Sequence, residues 1–321
     1  MSRAPMGEPG IVRPARRPPG WCAPGPAPLG AQGRPELTPA ADEDLCFLSG
    51  DWRLFQKRRG HRWSLDDLVT AWVATASASE RASALAEASV DRAAAETSAA
   101  LAPPARALDL GCGLGSVLLM VAWRLPHAQL LGVEAQADRA AIGRRSIAYN
   151  GAAARCQILD GDLRALDTRR ALAQAGPFSL ITGTPPYFPR GTGTESTTAQ
   201  VAPCRFELRG GVEEYLTTAA PLLAAGGRLV VCTAALERAR VVAASRASDL
   251  TLVEHWDIVP RQGKPVLVMV DVLRRADDPG PTAPPGDSYT LTVRDRDGAW
   301  TTPFRAVRSA MGLPPTSPSG R

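Results

Sequence analysis

Leu108-Asp109-Leu110-Gly111-Cys112-Gly113-Leu114-Gly115-Ser116 reads as a strand end, a glycine loop and the first residue of a helix. Ala107–Leu110 is a short apolar run, and Ser116–Arg124 continues at helical spacing. Glycine lets the backbone turn tightly and approach a ligand closely. In open α/β sheets, ligands lie beyond the carboxyl ends of the strands, which is where this loop falls. Glu134 closes the next apolar run, some twenty residues on, where a carboxylate reaches ribose hydroxyls. Asp162 follows the third run, in "LDGDL". Asp109, Glu134 and Asp162 make the rim of the loop acidic. That suits a ligand bearing an ammonium group better than a pyrophosphate. The dinucleotide fingerprint is GxGxxG; here the pattern is GxGxG, with Ser116 in the last place. Dinucleotide binding and a purely structural turn are the two lesser alternatives.

Working outward, strands and helices alternate. Gln129–Ala135 reads as a strand, and Asp138–Asn150 as a helix ended by Gly151. Cys156–Leu159 is a strand, Asp167–Gln174 a helix, and Phe178–Gly183 a strand. Val212–Ala225 is a helix, Arg228–Thr233 a strand and Leu236–Ala247 a helix. Thr251–Val259 and Val266–Leu273 close the series as strands. This alternation predicts an α/β fold with a doubly wound, mostly parallel sheet. Pro260–Pro265 is too short for a parallel crossover, so the last strand should run antiparallel.

Four regions are expected. Residues 1–44 are Pro/Gly/Ala/Arg-rich without periodicity and read as disordered. Residues 45–104 hold a basic, aromatic stretch (Asp51–Trp63), a helix from Ser64 to about Thr75 and an Ala-rich insertion. Ser64 with Asp67 resembles a helix capping box. Residues 105–275 are the main domain. Residues 276–321 are a linker, a hairpin around Asp297-Gly298 and a tail.

The 321 residues carry a net charge of +5, which permits a nucleic-acid partner without requiring one. Lys57 and Lys264 are the only lysines; arginine supplies the rest. The six cysteines form no CxxC pair and no zinc-spaced cluster, so no metal is expected, and a reduced, cytoplasmic compartment fits. No apolar run is long enough to span a bilayer, and the start lacks the apolar core of a signal peptide. Oligomeric state is not legible.

The strand Phe178–Gly183 runs into Thr184-Pro185-Pro186-Tyr187-Phe188. Two prolines stop both ladder and helix, because proline lacks the backbone donor and fixes φ. An aromatic ring on such a rigid turn suits stacking against a flat ligand. The alternative is a stiff connection with a core tyrosine. Arg190, Arg205 and Arg209 border the polar loop that follows, and are either phosphate contacts or simply solvated.

From about Ser64 to Arg274 the chain resembles class I S-adenosylmethionine-dependent methyltransferases, whose sheet is Rossmann-like. Within them it is similar to the small-domain group that includes bacterial tRNA(Val) adenine-N6 methyltransferases. "LDLGCGLGS" with Glu134 carries the superfamily likeness; "TPPYF", "GHRWSLDDLVTAWVA" and "RQGKP" carry the likeness to the group. The resemblance implies that Asp109, Gly111 and Gly113 hold the methionine end of S-adenosylmethionine. It implies Glu134 on the ribose hydroxyls, Asp162 on the adenine amino group with the Leu163 backbone beside it, and Asp66 or Asp67 closing the pocket. The group's N-P-P-Y motif implies an acceptor held by the residues at Thr184, Pro185 and Pro186, with Tyr187 stacked on the target base. Phe188, Arg190, Arg205 and Lys264 would meet an RNA substrate. Thr184 stands where the group has Asn, a shorter hydroxyl in place of an amide. The implied activity is N-methylation of an RNA base. The alternatives are a small-metabolite or protein-glutamine methyltransferase, or a non-catalytic cofactor-binding RNA module.

Overall fold

The computed structural model describes residues 10–77, 80–81, 106–189, 191, 204, 206–278 and 288–316. Its centre is an eight-stranded sheet. In chain order the strands are β4 (Arg106–Leu110), β5 (Gln129–Glu134), β6 (Cys156–Asp160), β7 (Phe178–Gly183), β8 (Leu223–Ala234), β9 (Leu250–Val259), β10 (Val268–Arg275) and β11 (Ser288–Thr292). Across the sheet the order is β11-β9-β10-β8-β7-β4-β5-β6. β4 to β8 pair in parallel, whereas β10 is antiparallel to both β8 and β9, as the short Pro260–Pro265 link requires. This is a Rossmann-like, doubly wound arrangement.

The chain runs outward from β4 through β5 to β6, then returns to β7 and runs outward the other way. The crevice therefore opens at the carboxyl ends of β4 and β7. Helices cover both faces. One face carries α1 (Leu65–Thr75), α2 (Ser116–Arg124) and α3 (Ala137–Tyr149); the other carries α4 (Leu166–Ala175), α5 (Val212–Ala219) and α6 (Arg238–Ala247). Central strands are apolar on both sides because both are covered: Leu108, Leu110, Leu180 and Ile181 are buried. On the first face Trp72 of α1 meets Trp256 of β9 edge-on, with ring centroids 4.9 Å apart. That geometry contributes about 0.5–1.5 kcal/mol beyond area burial.

The expected disorder of residues 1–44 does not hold for 10–44. β1 (Ile11–Val12) pairs in parallel with β2 (Glu43–Phe47), which pairs antiparallel with β3 (Arg53–Lys57). The segment lacks an apolar period of its own and takes its order from α3. Arg145 bonds both Glu43 carboxylate oxygens at 2.9 and 2.8 Å. Asn150 accepts from the Arg53 amide at 2.8 Å and donates to its carbonyl at 2.7 Å. Composition does not register such lateral bonds. Trp52 and Phe55 of the basic, aromatic stretch are core residues, and Lys57 pairs with Asp42.

The C-terminal extension reverses at Asp297-Gly298 as expected, closed by an antiparallel bridge of Arg294 to Trp300, but its arms go elsewhere: β11 adds in parallel to β9, and α7 (Thr302–Ala310) follows the turn. Thr301 caps α7 by accepting from the Phe304 amide at 3.2 Å, and Pro303 sits in its first turn. Phe304, Val307 and Met311, at helical spacing, are buried. The Ala-rich insertion lies almost wholly outside the described residues, as do residues 279–287. Among the described residues, no helix is long and apolar enough to cross a membrane.

Candidate active site

The glycine loop folds over the end of β4. Gly111, Gly113 and Gly115 all have left-handed φ, at +62°, +57° and +80°. The Cys112 amide donates to the Val133 carbonyl at 2.9 Å, which ties the loop to β5. A Cβ on Gly111 would lie 2.1 Å from the Tyr215 hydroxyl, and one on Gly113 would lie 2.5 Å from the Arg139 guanidinium. Gly111→Ala is therefore expected to lower stability by at least about 1–2 kcal/mol from the left-handed backbone alone. Urea unfolding checks this, and an unchanged midpoint would show that the loop does not need this conformation.

The loop borders a cleft of about 840 Å³, counted to its open mouth. Gly111, Gly113, Glu134, Asp162 and Leu163 line it, as do Thr184 and Pro186. Glu134 locks the loop: one carboxylate oxygen accepts from the Gly113 amide at 2.9 Å, the other from the Gln136 amide at 2.7 Å. Asp162 lies at the third strand's end, gripped by Arg164 at 2.9 and 2.7 Å. That bond holds its carboxyl below the usual range, against partial burial.

Asp109 departs from expectation. It is 2% exposed and does not line the cleft; it sits beneath the loop and accepts from the Thr182 hydroxyl at 2.8 Å. Its second oxygen is buried without a partner among the described residues. Burial pushes its carboxyl up to about 7. A carboxylate at the end of a buried central strand can reach a ligand's ammonium group only from below the loop.

Asp67 reaches the cleft instead, from the first turn of α1. Its two oxygens accept from the Ser116 hydroxyl at 2.7 Å and the Ser64 amide at 2.8 Å. Burial, then the neighbouring Asp66 charge, push it up to about 7. The helix-start serine and acid therefore join α1 to the glycine loop as well as capping the helix.

Tyr187 does not line the cleft. Its ring packs on the core layer, and its hydroxyl donates to Asp66 at 2.8 Å beside the Cys232 sulfur. Burial is the first of several causes that hold its phenol well above its usual range. The ring expected to stack on a target base thus lies outside the cleft lining, and Tyr187 ties the Thr184–Pro186 turn to α1. Pro185 is buried, while Phe188 is exposed, its ring 5.8 Å from that of Phe206. Thr184, half-buried in the cleft wall, has no hydrogen-bond partner for its hydroxyl among the described residues. Lys264 lies exposed in the β9–β10 turn, on the same edge of the sheet but outside the cleft lining. Arg190 and Arg205 lie outside the described residues. Arg209 lines the cleft and faces Asp162 at 4.0 Å.

Sequence reasoning missed Arg139. It is 7% exposed, lines the cleft, and its side chain makes no hydrogen bond or ion pair among the described residues. An arginine on the inward face of the helix that follows Glu134 was the available signal. Among the described residues no group of three His, Cys, Asp or Glu side chains could hold a metal.

These residues fit S-adenosylmethionine. Side-chain-free glycines at 111 and 113 let Tyr215 and Arg139 close on the loop, the carboxylates of Asp67, Glu134 and Asp162 in the lining suit a cationic, hydroxyl-bearing ligand, and Arg139 offers a cation for its carboxylate. Comparison with known proteins agrees. The chain is 35% identical over 131 residues to a release factor glutamine methyltransferase of Chlorobaculum tepidum, covering 38% of this chain and 43% of that one. It is 31% identical over 131 residues to a tRNA1(Val) (adenine(37)-N6)-methyltransferase of Porphyromonas gingivalis, covering 40% and 50%. It is 28% identical over 203 residues to the protein of that name in Dickeya chrysanthemi, covering 63% and 78%. The chain thus spans about half the length of the first two relatives. No family model matches it.

Proposed function

We propose that this protein is an S-adenosylmethionine-dependent methyltransferase that N-methylates a base in RNA, in the manner of tRNA adenine-N6 methylation. The observation that carries the reading is one crevice holding both the glycine loop locked on Glu134 and the unpaired hydroxyl of Thr184. When bound, S-adenosylmethionine supplies an electrophilic methyl group on a sulfonium.

Glu134 takes the ribose hydroxyls with the lone pairs its two backbone bonds leave free. Asp162 and the Leu163 backbone meet the adenine, which requires Arg164 to yield part of its grip. Asp67 faces the cationic end from the cleft wall, Asp109 acts on it from beneath the loop, and Arg139 faces the carboxylate. Thr184 and the Pro185 carbonyl accept from the acceptor amine and aim its lone pair, an alignment that in-line attack on a methyl group demands. Tyr187 holds that turn rigid from below, and Trp63, in the cleft wall, offers the stacking face.

A protein glutamine amide is the second reading, favoured by the 35% identity to a glutamine methyltransferase. Calorimetry with S-adenosylhomocysteine and with NADH tests the cofactor, and tight NADH binding alone would sink it. Mass spectrometry of bulk RNA and of digested protein from a deletion strain and its parent tests the substrate. A lost methylated base supports the RNA reading; unchanged RNA with a lost methylglutamine supports the second.

The two raised carboxyls give a pH signature. Asp67 and Asp109 are neutral below about 7 and anionic above it. The anionic forms attract a cation, so affinity for S-adenosylmethionine should rise roughly tenfold between about pH 6 and about pH 8 and then level off. Asp67→Asn should flatten the rise. A wild-type affinity independent of pH would show that neither carboxyl faces the cationic end.

A further inference from the structure

A second, wider groove of about 1230 Å³ adjoins the cleft and shares Arg62 and Trp63 with it as a common wall. Arg13, Arg16, Arg17, Arg62 and Arg308 line it, and among the described residues no carboxylate does. Its cations are set in place from behind. The buried Asp44 carboxylate holds Arg13 at 2.7 Å and Arg62 at 3.0 Å, and Asp51 holds Arg17. Burial raises Asp44, but the bonds from Arg13, Arg62 and Gln56 outweigh it, so the carboxyl stays below the usual range. Five guanidiniums over two carboxylates leave a positive excess. Arg308 lies 3.7 Å from the Trp300 ring centroid; burial lowers its pKa to about 10, and it remains charged at neutral pH. Arg16 is exposed and has no hydrogen bond or ion pair among the described residues.

Aromatic rings are interleaved with these charges. Arg17 lies 5.4 and 5.2 Å from the ring centroids of Trp21 and Phe47, and Arg53 covers Phe47 more closely, at 3.5 Å. The N-terminal segment that composition alone read as disordered thus supplies six of the fifteen residues that line the groove.

We propose that this groove binds single-stranded RNA next to the target nucleotide. The backbone phosphates lie along the arginines and the bases lie against Trp21. The strand enters the cleft past Trp63. The inference rests on the RNA-methylation reading and assigns it a substrate track. Charge alone would also admit an acidic protein surface. The rings decide between them, because every base has a face to stack and an acidic peptide does not. A duplex hides its base faces, so unpaired nucleotides are the match.

The test is fluorescence anisotropy with the full chain and a labelled, mixed-sequence RNA of about twelve nucleotides, within the site sizes of single-strand binders. Wild-type protein should bind it, with the same sequence as a duplex binding more weakly. Arg16→Glu should weaken the single strand about tenfold and lower the salt slope by about 0.7 for each phosphate it no longer neutralises. Trp21→Ala should weaken it without changing the slope. S-adenosylhomocysteine binding, by calorimetry, should be the same in all three proteins. RNA binding indifferent to Arg16→Glu would overturn the groove while leaving the cofactor reading intact. So would polyglutamate displacing the RNA at equal charge concentration. Failure of wild-type protein to bind S-adenosylhomocysteine would instead remove the reading on which the groove depends.

Discussion

Glu134→Ala should weaken S-adenosylhomocysteine binding by about a hundredfold or more, the largest effect expected of any cofactor-site substitution. The carboxylate does two jobs. It holds the glycine loop through the Gly113 and Gln136 amides, at 2.9 and 2.7 Å, and in the proposed complex it also accepts from the ribose hydroxyls. Hydrogen bonds to charged groups contribute about 1.5–3 kcal/mol each, and two removed together exceed the ~2.7 kcal/mol that a hundredfold change requires. The two jobs can be separated. Glu134→Gln keeps one acceptor oxygen and the side chain's shape, so the loop should hold better than in the alanine variant while ribose binding falls. Calorimetry of both variants, alongside their urea midpoints, distinguishes loop collapse from weakened ribose binding. Wild-type affinity in Glu134→Ala would remove Glu134 from the site.

The sheet was legible because its pattern is local. Each central strand is a short apolar run, each helix has its own period, and the link Pro260–Pro265 dictates the antiparallel strand. The acids at the strand ends were legible for the same reason, since position along the chain fixes which edge they reach. Three features were not legible, each because it depends on residues distant in sequence or on a face to bury. The N-terminal strands are ordered by Arg145 and Asn150, about a hundred residues away. The Trp300–Phe304 run became a helix because Thr301 and Pro303 favour a helix start and α7 has an apolar face to bury. Tyr187 turned inward because Asp66 on α1 accepts from its hydroxyl. A motif names the residues that gather at a strand end, but the neighbouring helix decides which way each one faces.

That last point sharpens the role of Thr184. With Tyr187 tied down beneath the turn, Thr184 is the part of the motif that presents a free polar group to the cleft. A hydroxyl can accept one hydrogen bond from an amine and, being short, reaches less far than an amide. Leaving a buried partner unpaired costs roughly 1–3 kcal/mol, so Thr184→Val should slow methyl transfer about ten- to a hundredfold with cofactor affinity unchanged. Single-turnover rates at saturating cofactor measure this directly. Thr184→Asn is the more informative change, because it restores the residue found in the group that the chain resembles. An adenine amino acceptor predicts that asparagine is tolerated or faster, its carbonyl replacing the hydroxyl and its length bringing the acceptor within reach. A differently placed amine or a hydroxyl acceptor predicts a fall, because the amide fills the space where that acceptor must sit. Wild-type rates in both variants would mean that position 184 does not aim the acceptor. The Pro185 carbonyl, held by the same buried turn, would then be left to do so alone.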